Sequence, residues 1–234
     1  MGITNGVDVS AFDPATDKAL VQNYSIDDFK SGKAANKAAI QRELGLPERP
    51  EVPMLAMITR LAGHKGIDLL CYTARRLLAL DVQLVVLGTG EQRFENFFRG
   101  LAAEYPNKVS AQLKFDVNLA NRIYAGADVY LMPSKSEPCG LSQMIAMAYG
   151  SVPVVRETGG LKDTVEPFNP VEKTGVGFTF KTYNSYDMLD AVWRAYGTFF
   201  DKENWKAVVS NGMKKNFGWE VSAKKYLDIY NSIR

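Results

Sequence analysis

The chain has 234 residues, 46% of them hydrophobic, which is enough for one well-formed core and too few for two large domains. Its 28 Lys and Arg against 26 Asp and Glu leave a formal net charge of +2, too small to hold nucleic acid or an acidic membrane by general electrostatics, so any phosphate site must be local. The two cysteines, Cys71 and Cys139, follow no pairing or metal-ligand spacing, no apolar run reaches membrane length, and no basic-then-apolar leader opens the chain; a cytoplasmic protein is predicted, or one of the plastid stroma if the source is a plant.

Residues 1–50 carry little periodicity. Asn5-Gly-Val-Asp8 and Phe12-Asp-Pro14 read as turns, and 36–44 as a helix stopped by Gly45 with Pro47 and Pro50 behind it. From residue 53 the pattern alternates. Strands are predicted over 54–59, 83–87, 109–115, 129–132, 152–155 and 177–180, with helices over 66–80, 91–105 and 118–124 between them. Three closing helices follow over 185–200, 201–216 and 219–233, and no internal repeat is visible. Such alternation implies right-handed crossovers and a parallel sheet covered on both faces, an α/β Rossmann-like three-layer α/β/α sandwich.

The chain is organised around the run Pro133-Ser-Lys-Ser-Glu137-Pro-Cys-Gly140, which follows the apolar strand 129–132 and precedes helically spaced Leu141, Met144, Ile145 and Ala148. Open α/β sheets bind ligands at such junctions, outside the carboxyl ends of their strands. A helix N-terminus there offers N–H groups and a positive dipole end to an anion, which suggests a phosphate-bearing ligand beside Glu137. Arg60 and Lys65, on the loop after the first core strand, belong to the same sheet edge, as does Lys114-Phe115-Asp116 at the end of another strand. Two fixed cations can neutralise phosphate charge without a metal, although solvated loop cations are the commoner reading of such residues. Glu137 has the alternative of pairing with Lys135 or capping the helix, and Phe115 that of core packing. Thr158-Gly159-Gly160-Leu161 is a turn opening a helix, with N–H groups facing ligand or a plain left-handed turn as its two readings.

Other signals are weaker. No Asp-x-Asp motif is present to hold a divalent cation, so no metal or other cofactor is expected. His64, the single histidine, reads as a polar loop residue rather than a general acid–base. Gly88-Thr-Gly90 imitates a dinucleotide fingerprint, but Arg93 stands where its third glycine would fall, so a structural turn is predicted.

Glu137-Pro-Cys-Gly-Leu-Ser-Gln143, then Tyr149-Gly and Pro153-Val-Val-Arg-Glu-Thr-Gly-Gly-Leu-Lys-Asp-Thr-Val165, closely resemble the glycogen and starch synthases, retaining glycosyltransferases of family 5 with a two-domain GT-B architecture. The resemblance runs from Gly2-Ile-Thr-Asn-Gly-Val-Asp8 to the last helix and matches only the C-terminal half of that enzyme. It implies that 1–50 is a linker wrapping the base of the domain, 51–216 the donor-nucleotide-binding domain, and 217–234 a crossover helix with unusually exposed aromatics. The family's Arg-x₄-Lys-Gly diphosphate clamp falls on Arg60 and Lys65. By the same resemblance Glu137 orients glucose, the turn at Cys139, Gly140, Leu141 and Ser142 holds phosphate and sugar, and Phe115 stacks on the base. Thr158, Gly159 and Gly160 lie close by. Many GT-B relatives carry a second carboxylate eight residues after the first; Ile145 stands there, as is common in family 5, and ribose recognition is left unassigned.

The implied reaction transfers glucose from ADP-glucose to the non-reducing end of an α-1,4-glucan, with the glucan and the catalytic histidine belonging to an N-terminal domain this chain lacks. Alone, the chain should bind ADP weakly and elongate nothing. A GT-B donor domain for a UDP- or GDP-sugar and a non-catalytic nucleotide-binding module remain open, since ADP rests on resemblance. Met1 before Gly2-Ile-Thr-Asn-Gly reads as a start placed at a domain boundary, the alternative being a short gene product.

Overall fold

A computed structural model describes residues 2–232. Six strands, β1 (Met54–Ile58), β2 (Gln83–Leu87), β3 (Val109–Gln112), β4 (Val129–Met132), β5 (Val152–Arg156) and β6 (Phe178–Phe180), form one sheet in the order β3-β2-β1-β4-β5-β6. All five pairings are parallel. Helices α1 (Phe29–Glu43), α2 (Ile67–Leu78), α3 (Gln92–Glu104), α4 (Val117–Gly126), α5 (Ser142–Ala148), α6 (Gly159–Thr164), α7 (Ser185–Phe200), α8 (Lys202–Met213) and α9 (Trp219–Ser232) accompany them. The strands are continuous apolar runs because both faces are covered: every residue of β2 and of β4 is buried. α2 shows the matching helical logic. Its Ile67, Leu70, Ala74 and Leu77 recur on one stripe and are fully buried, each large side chain contributing roughly 1.5–3 kcal/mol.

The order reverses between β1 and β4, so the connections leaving their carboxyl ends run to opposite sides and open a crevice. Both loops singled out in the sequence, 59–66 and 133–141, begin there.

Most boundaries fall within two residues of expectation, α8 ends at Met213 rather than 216, and two further differences have clear physical reasons. The first helix starts at Phe29 rather than 36, and its buried face carries Lys33, Asn36, Lys37 and Gln41, which erase the apolar period. Those polar groups are satisfied. The Lys33 ammonium donates to the carbonyls of Ala125, Ala127 and Tyr149 at 2.8–3.1 Å, and Lys37 pairs with Asp128 at 2.7 Å. The third strand stops at Gln112 instead of running to 115. The Lys114 N–H donates back to the Gln112 carbonyl (2.9 Å), and Asp116 caps α4 by accepting from the Leu119 N–H (2.9 Å). Phe115 therefore sits on a loop and does not end a strand.

The last helix closes on the beginning of the chain. Val7 bridges Gly218, and the Ser222 hydroxyl donates to the Thr4 carbonyl at 2.7 Å. Its outer face leaves Trp219, Tyr226, Leu227 and Tyr230 exposed, as expected for the aromatics. The predicted end of this helix at residue 233 lies outside the described residues.

Candidate functional site

The site begins with the loop after β1. The N–H groups of Thr59 and Leu61 donate to the carbonyls of Leu87 and Thr89, which extends the β1–β2 pairing past the strand ends. A short turn over Gly63–Lys65 follows, then Gly66 with φ +74°. A Cβ on Gly66 would stand 2.1 Å from the Pro133 carbonyl oxygen, so glycine is required both for the left-handed backbone and for close approach to the β4–α5 loop. The Lys135 N–H donates to the His64 carbonyl (2.9 Å) across the same seam. His64 itself is exposed.

That approach brings Lys65 onto Glu137. Their Nζ–Oε2 distance is 2.6 Å, with the two side chains only 17% and 11% exposed. Ser134 Oγ lies 3.3 Å from the same carboxylate oxygen. Glu137 thus pairs with Lys65, not with Lys135 or a helix end; Lys135 lies instead over the Tyr183 ring.

The loop from Glu137 to Gly140 is held from behind. Gly140 adopts φ +74°, and Gln143 Nε2 donates to the Gly140 carbonyl at 2.9 Å. Added Cβ atoms on Gly159 and Gly160 would lie 2.2 Å and 2.1 Å from the carbonyl oxygens of Glu137 and Cys139. The Gly160 N–H is already committed to the carbonyls of Glu137 and Pro138 (3.2 Å each). These glycines therefore buttress the loop, and Gly160 has no N–H left for a ligand; Thr158 precedes them, half-buried, its N–H on the Arg156 carbonyl. The Cys139 sulfur accepts the Asn5 N–H at 3.3 Å.

Arg156 and Tyr183, neither singled out in the sequence, tie both loops together. Arg156 Nε donates to the Ser134 carbonyl at 3.0 Å and its Nη2 to that of Lys135, while the guanidinium stacks over Tyr183. The Tyr183 hydroxyl donates to Asp68 at 2.6 Å, next to Gly63. Burial first, and then Asp68, pushes this phenol well above its usual range. Glu91 adds a further tie by accepting the Gly63 N–H at 2.8 Å, a bond that holds its carboxyl below the ordinary carboxylate value. An arginine ending a strand and a tyrosine in a loop carry no periodic signal, which is why sequence reasoning passes over them.

Beside this pair lies a cavity of about 350 Å³, bounded by the ends of β1 and β2, the β3–α4 loop and the start of α5. Arg60, Phe115, Leu141, Ser142 and Ile145 line it, together with Phe12 from the N-terminal segment. Phe115 is 89% exposed, which rules out core packing. Lys65, Glu137, Cys139, Gly140, Thr158, Gly159 and Gly160 are not on its wall, to which the start of α5 contributes Leu141 and Ser142. Of the charged wall residues, Lys114 and Asp116 pair at 3.0 Å, which leaves Arg60 as the excess positive charge. Gly88 also lines the cavity, but a Cβ there would lie 1.8 Å from the Thr59 carbonyl oxygen, a turn packed on its neighbour. Among the described residues no group of three or more His, Cys, Asp or Glu could hold a metal ion, and no helix is long and apolar enough to cross a membrane.

A doubly wound parallel sheet with a cation–carboxylate pair and an aromatic-mouthed cavity at its carboxyl edge has the form of a nucleotide-sugar-binding half of a glycosyltransferase. The family model for "Glycosyl transferases group 1" matches residues 36–196, and the chain belongs to that family. Within it, the chain is similar along its whole length to bacterial glycogen synthases. It is 50% identical over 232 residues to that of Exiguobacterium sibiricum and 47% over 232 residues to that of Clostridium perfringens, covering 99% of this chain and 48% of either relative. Among solved structures, the catalytic domain of starch synthase IV from Arabidopsis thaliana bound to ADP and acarbose superposes with a TM-score of 0.92 at 36% identity, over 99% of this chain and 48% of that one. The chain thus spans about half the length of the relatives it matches.

Proposed function

We propose that this chain is the donor half of a retaining glycogen synthase, which binds ADP-glucose and, with an N-terminal half supplying the acceptor site, extends an α-1,4-glucan by one glucose. The observation that carries this reading is the 2.6 Å Lys65–Glu137 pair beside the cavity lined by Arg60 and Phe115. When the bond from the anomeric carbon to the diphosphate breaks, negative charge grows on the departing ADP. Fixed cations at that point stabilise the transition state more than the ground state. Arg60 and Lys65 are suited to that role without a metal, and no cofactor is invoked. Glu137 binds Lys65 through Oε2, and its other oxygen is suited to accept from a glucose hydroxyl. The turn at Cys139–Ser142 borders phosphate and sugar, with Thr158 and Gly159 behind it, and Phe115 is placed to stack on the base. ADP as the nucleotide is supported by the ADP in the Arabidopsis starch synthase structure. Two free thiols, Cys71 and Cys139, support a reducing, cytoplasmic setting.

Calorimetric titration of the chain with ADP, UDP and GDP tests the assignment. ADP is expected to bind tightest, and Lys65→Gln and Arg60→Gln each to weaken it by about tenfold or more, the loss expected for a charge-assisted hydrogen bond. Tighter binding of UDP or GDP, or ADP binding indifferent to both substitutions, overturns it.

A further inference from the structure

At the opposite end of the sheet, outside the amino ends of β1 and β4, lies a second cavity of about 260 Å³ between α1 and the α7–α8 corner. Its charges are one-sided. Lys30, Lys33 and Lys37 line it from one face of α1, and Lys202 and Lys206 face them from the first turns of α8, against a single carboxylate, Asp128. Asp128 is already used: it pairs with Lys37 at 2.7 Å and accepts the Met54 N–H at 2.8 Å. Among the described residues Lys37 is the one of these five lysines in an ion pair.

The floor between the lysines is aromatic. Phe199 and Trp205 pack edge to face with ring centroids 5.2 Å apart, and the ammonium of Lys202 stands 4.8 Å from the Phe199 centroid. Like charges at i,i+4 on a helix, as at Lys202 and Lys206, oppose folding. Lys30 faces that pair from α1 and adds to the repulsion, whereas Lys33 is held by three backbone carbonyls and Lys37 by Asp128. The chain as a whole carries only +2, so this local excess is not a by-product of a basic composition. An anion in the cavity would relieve it.

We propose that this cavity binds a small organic phosphate, with its phosphate among Lys30, Lys202 and Lys206 and its carbon skeleton against the half-buried Trp205, which the buried Phe199 supports from below. Several ammonium groups favour a phosphate dianion over a carboxylate, because the double charge offsets more of the local excess and lysine binds phosphate as a point charge. The aromatic floor favours a ligand with a ring over inorganic phosphate. This site is separate from the donor crevice, which opens at the other edge of the sheet.

The chain's three tryptophans make the test local. Phenyl phosphate is titrated against the chain while the indole N–H resonances of Trp193, Trp205 and Trp219 are followed by NMR, with inorganic phosphate and benzoate as parallel arms. Saturable movement of the Trp205 resonance is expected, with the other two unmoved and both comparison ligands weaker. Lys30→Gln/Lys206→Gln should weaken phenyl phosphate by about tenfold or more, while Lys65→Gln, at the donor crevice, should leave the titration unchanged. The spectrum of each variant reports its own folding. No saturable movement at Trp205, equal binding of all three anions, or persistence of the shift in a folded double variant would overturn the proposal.

Discussion

Single side chains show how burial decides role. Phe115, at 89% exposure on the rim of the donor cavity, has no packing function to lose. Phe115→Ala should therefore leave the unfolding midpoint in urea unchanged while it weakens ADP by about 1–3 kcal/mol, the usual worth of a base stacked on an aromatic ring; calorimetry beside a denaturation curve separates the two. Lys33 is the converse case. Burial pulls its ammonium down from 10.5 to about 7, with Asp128 opposing and Lys37 assisting the shift. Between about 7 and 10.5 the unfolded chain holds a proton that the folded chain does not, so this group makes stability rise with pH across that window and is without effect on the slope below it. Urea unfolding of the protein and of Lys33→Met from pH 7 to 9 checks the sign: the stability of the parent should climb relative to that of the variant.

Elements were readable to the degree that their buried faces are apolar. β2 and β4 are short hydrophobic runs, and their bounds match those read from the sequence. α7, with Met188, Leu189, Val192 and Ala195 inward, matches as well. α1 was half legible because a helix whose inner face holds Lys33, Lys37 and Gln41 looks like a solvated one until its partners are seen. β3 was overextended because alternation continues through Phe115, while the cap at Asp116 that ends the strand is a local hydrogen bond without a period. Within the site, the residues of the two loops were visible in sequence, but their support was not: the Arg156–Tyr183 stack depends on neighbours more than twenty residues away. Gly66 ties this scale to function. Gly66→Ala meets both an unfavourable φ of +74° and the Pro133 carbonyl at 2.1 Å. It should cost roughly 1–3 kcal/mol in stability and part Lys65 from Glu137, so that urea unfolding and ADP titration both report a loss.

For the molecule as a whole, the donor cavity is a wall without its opposite. Phe115 and Leu141 stand exposed at its mouth, so the place where the proposed glucosyl transfer would occur is open to water. Catalysis of this kind needs a dry, closed site. The purified chain given ADP-glucose and maltooligosaccharides should therefore release no ADP and lengthen no glucan, and sustained elongation in a radiometric assay would contradict it.

The stitching of residues 4–7 to residues 218–222 has a mechanical consequence. If both segments run on toward a second domain, the connection is a doubled ribbon rather than a single thread. A ribbon bends more easily out of its plane than within it, so opening and closing about such a connection would favour one direction, like a door on its post.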